Sequence, residues 1–178
     1  MQFSPGRLCF PGPDTSLIPF LHRAMTAYPH LALETPNQAE VIALIAELDA
    51  YQKPLYPAGS HHGIDIAALA AANVLFAVAR ADGGEVVACG AMVLQAEYGE
   101  LKRMFTRPAQ RGRGVASALL AYLEAAATAR GCLQFMLETG NLQPQALALY
   151  ARHGYQRCGP FGDYADDPHS VFMMKTVT

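Results

Sequence analysis

Two glycines flank an arginine in Arg111-Gly112-Arg113-Gly114, between a strand-like run, Glu100 to Thr106, and the most regular helical pattern in the chain, Val115 to Arg130. Val115, Leu119, Leu120, Leu123, Ala126 and Ala127 form an apolar stripe on that helix, and Gly131 supplies its stop. Glycines let the backbone turn tightly and come close to a ligand. The free N–H groups at the helix start point at whatever lies there, and the helix dipole favours an anion. Arg111 and Arg113 add positive charge at the same place. On the residues alone this is a pyrophosphate cradle. A Walker loop is excluded, because no Gly-Lys-Ser/Thr follows. The dinucleotide fingerprint fits poorly: Ser117 replaces the third glycine, and Arg107 to Arg111 intervene where glycine should end the strand. A basic loop that merely starts a helix is the remaining alternative.

The rest of the chain supplies alternating elements around this unit. Leu31 to Glu34 reads as a short strand. Thr35-Pro36-Asn37-Gln38 reads as a capped helix start with Pro36 in the first turn and Gln38 closing a capping box. Val41, Ile42, Leu44, Ile45 and Leu48 continue that helix, and Asp65 to Ala72 suggests a second, short one. Val74 to Ala79 and Val86 to Gln95 flank Asp82-Gly83-Gly84, a hairpin signal. Leu133 to Leu137 reads as a strand, Pro144 to His153 as a helix stopped by Gly154, and Tyr155 onward and Val171 to Lys175 as final strands. The order β-α-α-β-β-β-α-β-α-β-β predicts an α/β layer fold with a mixed sheet.

Length and composition narrow the class. A chain of 178 residues suits one domain, with about 70% of its unfolded surface buried. Residues 1–30, rich in Pro and Gly, are expected to be a partly extended, poorly ordered extension, and residues 31–178 a single domain; Met25 is a candidate start of its own. With 52% apolar and 16% charged residues the bulk of the chain is not disordered. A net charge of −2 argues against a polyanion binder. The run Val86 to Leu94 is too short to span a membrane. Cys9, Cys89, Cys132 and Cys158 are scattered, as expected of reduced thiols in the cytoplasm. The six histidines lack metal-ligand spacing, so no metal is expected.

The loop Arg111 to Ala116 resembles the acetyl-CoA loop of the GNAT superfamily of N-acetyltransferases, whose pattern is Arg/Gln-x-x-Gly-x-Gly/Ala; Arg111, Gly114 and Ala116 fill its defined places. Ala146-Leu147-Ala148-Leu149-Tyr150-Ala151-Arg152-His153-Gly154-Tyr155 is similar to the family's Ala-x-x-Leu-Tyr-x-x-x-Gly-Phe segment. The resemblance covers about residues 31 to 175. One departure is Gln143, where the family often has Asn. The resemblance implies a mostly antiparallel sheet of six to seven strands, helices on both faces and splayed central strands. It also implies acetyl-CoA as co-substrate and a small-molecule or peptide amine as acceptor, with neither nucleic acid nor membrane as partner and a monomer or homodimer as the working unit. A non-catalytic acyl-CoA-binding regulatory module on the same fold is the alternative.

The resemblance further assigns roles. Met104, Phe105 and Thr106 would border the pantetheine arm. Arg111, Gly112, Arg113, Gly114, Val115 and Ala116 would hold the pyrophosphate, and Gln143 would take the place of the family's Asn. Amide transfer needs a base for the protonated amine and gains from a proton donor at the departing thiolate. Glu100 occupies the position of the base and Tyr150 that of the acid, while Glu138 is a rival base. His61 and His62 border the expected substrate cleft. Lys102 and Arg103 suit an acceptor carboxylate; Asp163, Asp166 and Asp167 suit extra amines. These two signals oppose one another.

Overall fold

The computed structural model describes residues 29–177. The extension expected over residues 1–30 lies outside the described residues as far as residue 28, and His30 already belongs to the first strand. Seven strands are present among the described residues: β1 (His30–Leu33), β2 (Val74–Arg80), β3 (Val86–Leu94), β4 (Gly99–Thr106), β5 (Gln134–Gly140), β6 (Gln156–Cys158) and β7 (Ser170–Thr176). They form one sheet in the order β1-β2-β3-β4-β5-β7-β6. Every neighbouring pair is antiparallel except β4 and β5.

Helices cover both faces, which explains why the central strands read as nearly unbroken apolar runs rather than alternating ones. α1 (Ala39–Gln52) and α2 (Ile66–Leu69) pack Val41, Leu44, Ile45, Leu48 and Leu69 on Phe76, Val78 and Cys89. On the opposite face α3 (Val115–Thr128) and α4 (Pro144–Arg152) set Leu119, Leu120, Leu123 and Tyr150 against Leu75, Ala77, Leu101 and Leu137. Phe76 and Val78 thus go to one layer, and Leu75 and Ala77 to the other, at the two-residue period of a strand. No helix among the described residues is long and apolar enough to cross a membrane.

Three boundaries differ from expectation. Helix α1 starts at Ala39, not at Thr35: Thr35 Oγ1 accepts from the Asn37 N–H at 3.2 Å, and Gln38 Nε2 donates to Thr35 O and Glu34 Oε2. The polar pair shapes a turn ahead of the helix instead of capping it, and Ile42 lies off the buried stripe. The second helix is a single turn, Ile66–Leu69, with Asp65 Oδ1 accepting from Ala68 N at 2.8 Å. Strand β5 runs three residues past Leu137, because its ladder with β7 continues to Gly140↔Ser170 and carries the polar pair Glu138 and Thr139 with it.

The feature that positions the site is the parting of the central strands. β4 and β5 pair only at Gly99↔Phe135, Glu100↔Met136 and Leu101↔Leu137. Beyond that point both strands continue without each other. The bend originates in β4, where Arg103 and Met104 together face the single residue Gly90 of β3. Arg103 takes a positive φ of 55°, and this extra residue turns the strand away from β5. Gly90 leaves room opposite the bulge for Met104, whose Sδ lies where a Cβ would stand.

Candidate active site

The wedge between β4 and β5 opens into a cavity of about 370 Å³. Its floor is the parted strands: Leu101 to Met104 on one side and Glu138 to Gly140 on the other. The end of α1, the connection from Lys53 to Gly63, and Gln143, Ala146 and Tyr150 of the α4 segment complete the walls. Tyr56 straps the opening. Its hydroxyl accepts from the Leu142 N–H at 3.0 Å, and its ring lies against Gly140, where any Cβ would collide with it.

Glu138 and Tyr150 share this cavity. Glu138 lies next after the last β4–β5 pair and accepts a 2.6 Å hydrogen bond from Ser170 Oγ. Burial pushes its carboxyl above the ordinary glutamate value, against the opposing pull of Ser170, His62 and Lys102. Tyr150 is buried, and burial together with the nearby Glu138 charge pushes its hydroxyl pKa up. It stays protonated at neutral pH. A carboxylate with raised affinity for a proton and a protonated phenol facing one cavity are suited to serve as base and acid.

Glu100 has a different setting. It is buried, does not line the cavity, and its Oε1 accepts from Tyr164 OH at 2.7 Å and pairs with Lys102 Nζ at 2.9 Å. Lys102 Nζ also donates to Tyr164 OH and to His62 O. Arg103 lines the cavity but is held by Asp49 and by Ile64 O. Both cations expected to hold an acceptor carboxylate are thus neutralised by carboxylates of the chain itself. Asp163 is exposed and stands outside the cavity.

The remaining expected residues fall into two groups. His61 and His62 line the cavity; His61 Nε2 lies 3.1 Å from Tyr56 O, whereas the buried His62 Nε2 has no hydrogen-bond partner among the described residues and is 3.9 Å from Asp167 Oδ2. Met104 and Gln143 line it too, and Gln143 immediately precedes α4. Phe105 packs under α1, and Thr106 ends β4 with its carbonyl accepting from Arg111 Nε at 3.2 Å. Gly112 and Gly114 have φ of 74° and 81°, values open to glycine, and a Cβ on either would meet nothing within 4 Å. Val115 seats α3 in the core, Ala116 lies in its first turn, Arg111 folds over Tyr51 and Phe105, and Arg113 is exposed.

One site element, Tyr56, carries no signal that sequence reasoning picks up. Tyr56 lies between two prolines in a segment with no periodicity. Tyr164 lies in the Phe161 to Pro168 connection, where only its aromatic neighbours hint at burial: Phe161 and Phe172 stack edge-on against it at 5.1 and 5.3 Å. Among the described residues no cluster of His, Cys, Asp or Glu has metal-binding geometry.

Comparison with known proteins gives a consistent picture. Residues 40–155 match the model of the Acetyltransferase (GNAT) family. The chain is 46% identical over 149 residues to an IAA acetyltransferase of Azospirillum brasilense, spanning 83% of this chain and 97% of that one. It is 33% identical over 151 residues to the uncharacterized N-acetyltransferase YsnE of Bacillus subtilis (strain 168), spanning 83% and 99%. A solved structure from Klebsiella pneumoniae subsp. pneumoniae, assigned as an acyl-CoA N-acyltransferase, is 40% identical with a TM-score of 0.73 and covers 85% of this chain and 99% of its own. The PaiA N-acetyltransferase of Thermoplasma acidophilum, solved with coenzyme A, shares the fold at 15% identity and a TM-score of 0.64, covering 83% and 98%.

Proposed function

Because the chain belongs to the Acetyltransferase (GNAT) family, we propose that it moves the acetyl group of acetyl-CoA onto a primary amine of a small molecule, amino acid or peptide by direct attack on the thioester. One observation carries this reading: Glu138 and Tyr150 face the same cavity at the place where β4 and β5 part. The residues suit acetyl-CoA, which supplies an activated acyl group when bound. The open-faced loop at Gly112 and Gly114 and the unpaired first amides of α3 would take the pyrophosphate, with Arg113 screening its charge. Met104 and Gln143 would border the pantetheine arm.

In this reading Glu138 is the base. A protonated amine cannot attack until it loses a proton, and Glu138 reaches into the cavity as a carboxylate whose burial gives it appetite for one. Tyr150 then returns a proton to the departing thiolate. Tyr56, His61 and His62 form the acceptor side, and the strap of Tyr56 over Gly140 favours small acceptors. Reduced Cys89, Cys132 and Cys158 accord with action in the cytoplasm.

The test is a screen for CoA thiol release over amines, amino acids, polyamines and aminoglycosides, repeated with Glu138→Gln. Release that depends on an amine and falls about 10²-fold or more in Glu138→Gln is the expected result. Tight CoA binding without release for any amine would favour the non-catalytic acyl-CoA-binding module. Undiminished release in Glu138→Gln would remove the base assignment.

A further inference from the structure

The arrangement around Lys102 leaves an ammonium with a choice of two carboxylates. The β4–β5 ladder ends at Leu101↔Leu137, so Lys102 and Glu138 are the next residues on the two strands and face each other across the opening. Both line the cavity. Yet Lys102 Nζ lies on Glu100 Oε1 at 2.9 Å, on the Tyr164 hydroxyl, and on His62 O at 3.2 Å. Three acceptors use the three protons of an ammonium. Tyr164 is a bridge: it accepts from Lys102 and donates to Glu100 at 2.7 Å. Its ring is wedged by His62, Phe161 and Phe172, with centroids 5.0, 5.1 and 5.3 Å away. The hydroxyl therefore cannot swing aside without repacking the whole connection before β7.

We propose that Glu100 and Tyr164 are positioning residues that commit Lys102 to the far side of the opening, so that Glu138 meets the acceptor amine without a counter-ion. The inference rests on reading Glu138 as the base, and it gives Glu100 a role distinct from proton transfer. The chemistry is competitive. An opposite charge within about 4–6 Å lowers a carboxylate by one to three pH units, enough to make a base ionised but too weak to take a proton from an amine. Groups facing Glu138 are Lys102 on β4, Tyr150 on α4, Ser170 on β7, His62 from the α1–α2 connection, and Tyr164 and Asp167 from the β6–β7 connection. Among them Lys102 is the one permanent cation, and Glu100 is its one ionic partner among the described residues.

The experiment reads Glu138 directly, without any acceptor. In the full-length chain labelled with 13C at the glutamate carboxyls, the Glu138 resonance is identified by its absence in Glu138→Gln and followed through a pH titration. Glu100→Gln is expected to release Lys102 towards Glu138 and to move the Glu138 midpoint down by about one unit or more. Tyr164→Phe keeps the ring and is expected to move it the same way by less. The double variant Glu100→Gln/Lys102→Met removes the whole ion pair, a replacement that costs a fold little, and is expected to return the midpoint to the wild-type value or above. A Glu138 midpoint that stays put or rises in Glu100→Gln would overturn the proposal, as would a double variant no different from Glu100→Gln. The base reading fails separately, through undiminished turnover in Glu138→Gln.

Discussion

At the scale of single residues, the proposed acid and base are two unlike groups on which burial acts alike. Burial raises Tyr150 and Glu138 alike, and each is the other's neighbour. For the phenol this secures the protonated form, which can donate; for the carboxylate it raises the affinity for a proton. Tyr150→Phe retains the ring in its buried place, so acetyl-CoA affinity and thermal stability are expected to hold while turnover falls about 10²-fold. Full turnover in a folded Tyr150→Phe would reduce this tyrosine to packing. The same reasoning sets the pH dependence. Activity is expected to rise with pH as Glu138 loses its proton, with the midpoint above the ordinary glutamate value. Stability runs the other way. A carboxyl raised by burial favours the folded state below its unfolded pKa, and that contribution is lost as pH rises through the shifted value. Glu138→Gln is therefore expected to flatten the upward limb of the rate profile and to lessen the loss of stability over the same pH range.

At the scale of elements, the loop before α3 is where local backbone geometry and the proposed pyrophosphate site coincide. Gly114 sits directly ahead of the helix with φ 81° and ψ 0°, and its carbonyl accepts the first helical bond, from Ala118 N at 3.0 Å. A side chain there forces an L-residue into left-handed backbone at a cost of about 1–2 kcal/mol. Gly114→Ala is accordingly expected to lower Tm by roughly 2–8 °C and to weaken CoA binding in calorimetry. Unchanged affinity in the folded variant would mean that the anion is held elsewhere. The β4 bulge is the matching device on the other side of the cavity. Arg103 spends its positive φ on the turn of the strand and anchors that turn on Asp49 and Ile64 O, and Gly63 leaves room for its guanidinium, 2.7 Å from where a Cβ would stand.

At the scale of the whole molecule, the sheet is two slabs, β1 to β4 and β5 to β7, whose strands are joined by three register pairs. A ligand that fills the wedge and touches both slabs binds only the folded state. At a hundredfold excess over Kd, CoA is expected to add about 2.7 kcal/mol of stability. For a chain of this length that raises Tm by roughly 5–10 °C. Thermal melts with and without CoA check this, and a Tm that does not move with CoA would argue against binding across the wedge.

The elements built from local rules are legible in the amino-acid sequence by itself. The α3 stripe and its preceding glycines, the β2–β3 hairpin at Gly83-Gly84, and α4 with its stop at Gly154 all depend on residues within a few positions of one another, and on positive φ values that glycine alone adopts freely. The capping pattern at Thr35 misleads because the same side chains can serve a turn or a cap, and only the docking of α1 on the sheet chooses between them. The sheet order, the parting of β4 from β5 and the strap of Tyr56 over Gly140 lie beyond local rules. So does the difference between two glutamates of the same kind on adjacent strands. Sequence offers Glu100 and Glu138 as rival bases. What separates them is Lys102 with Tyr164, 64 positions along the chain from Glu100, against Ser170 and an open cavity for Glu138. Electrostatics depends on distance in space, and distance in space is what only the tertiary structure decides.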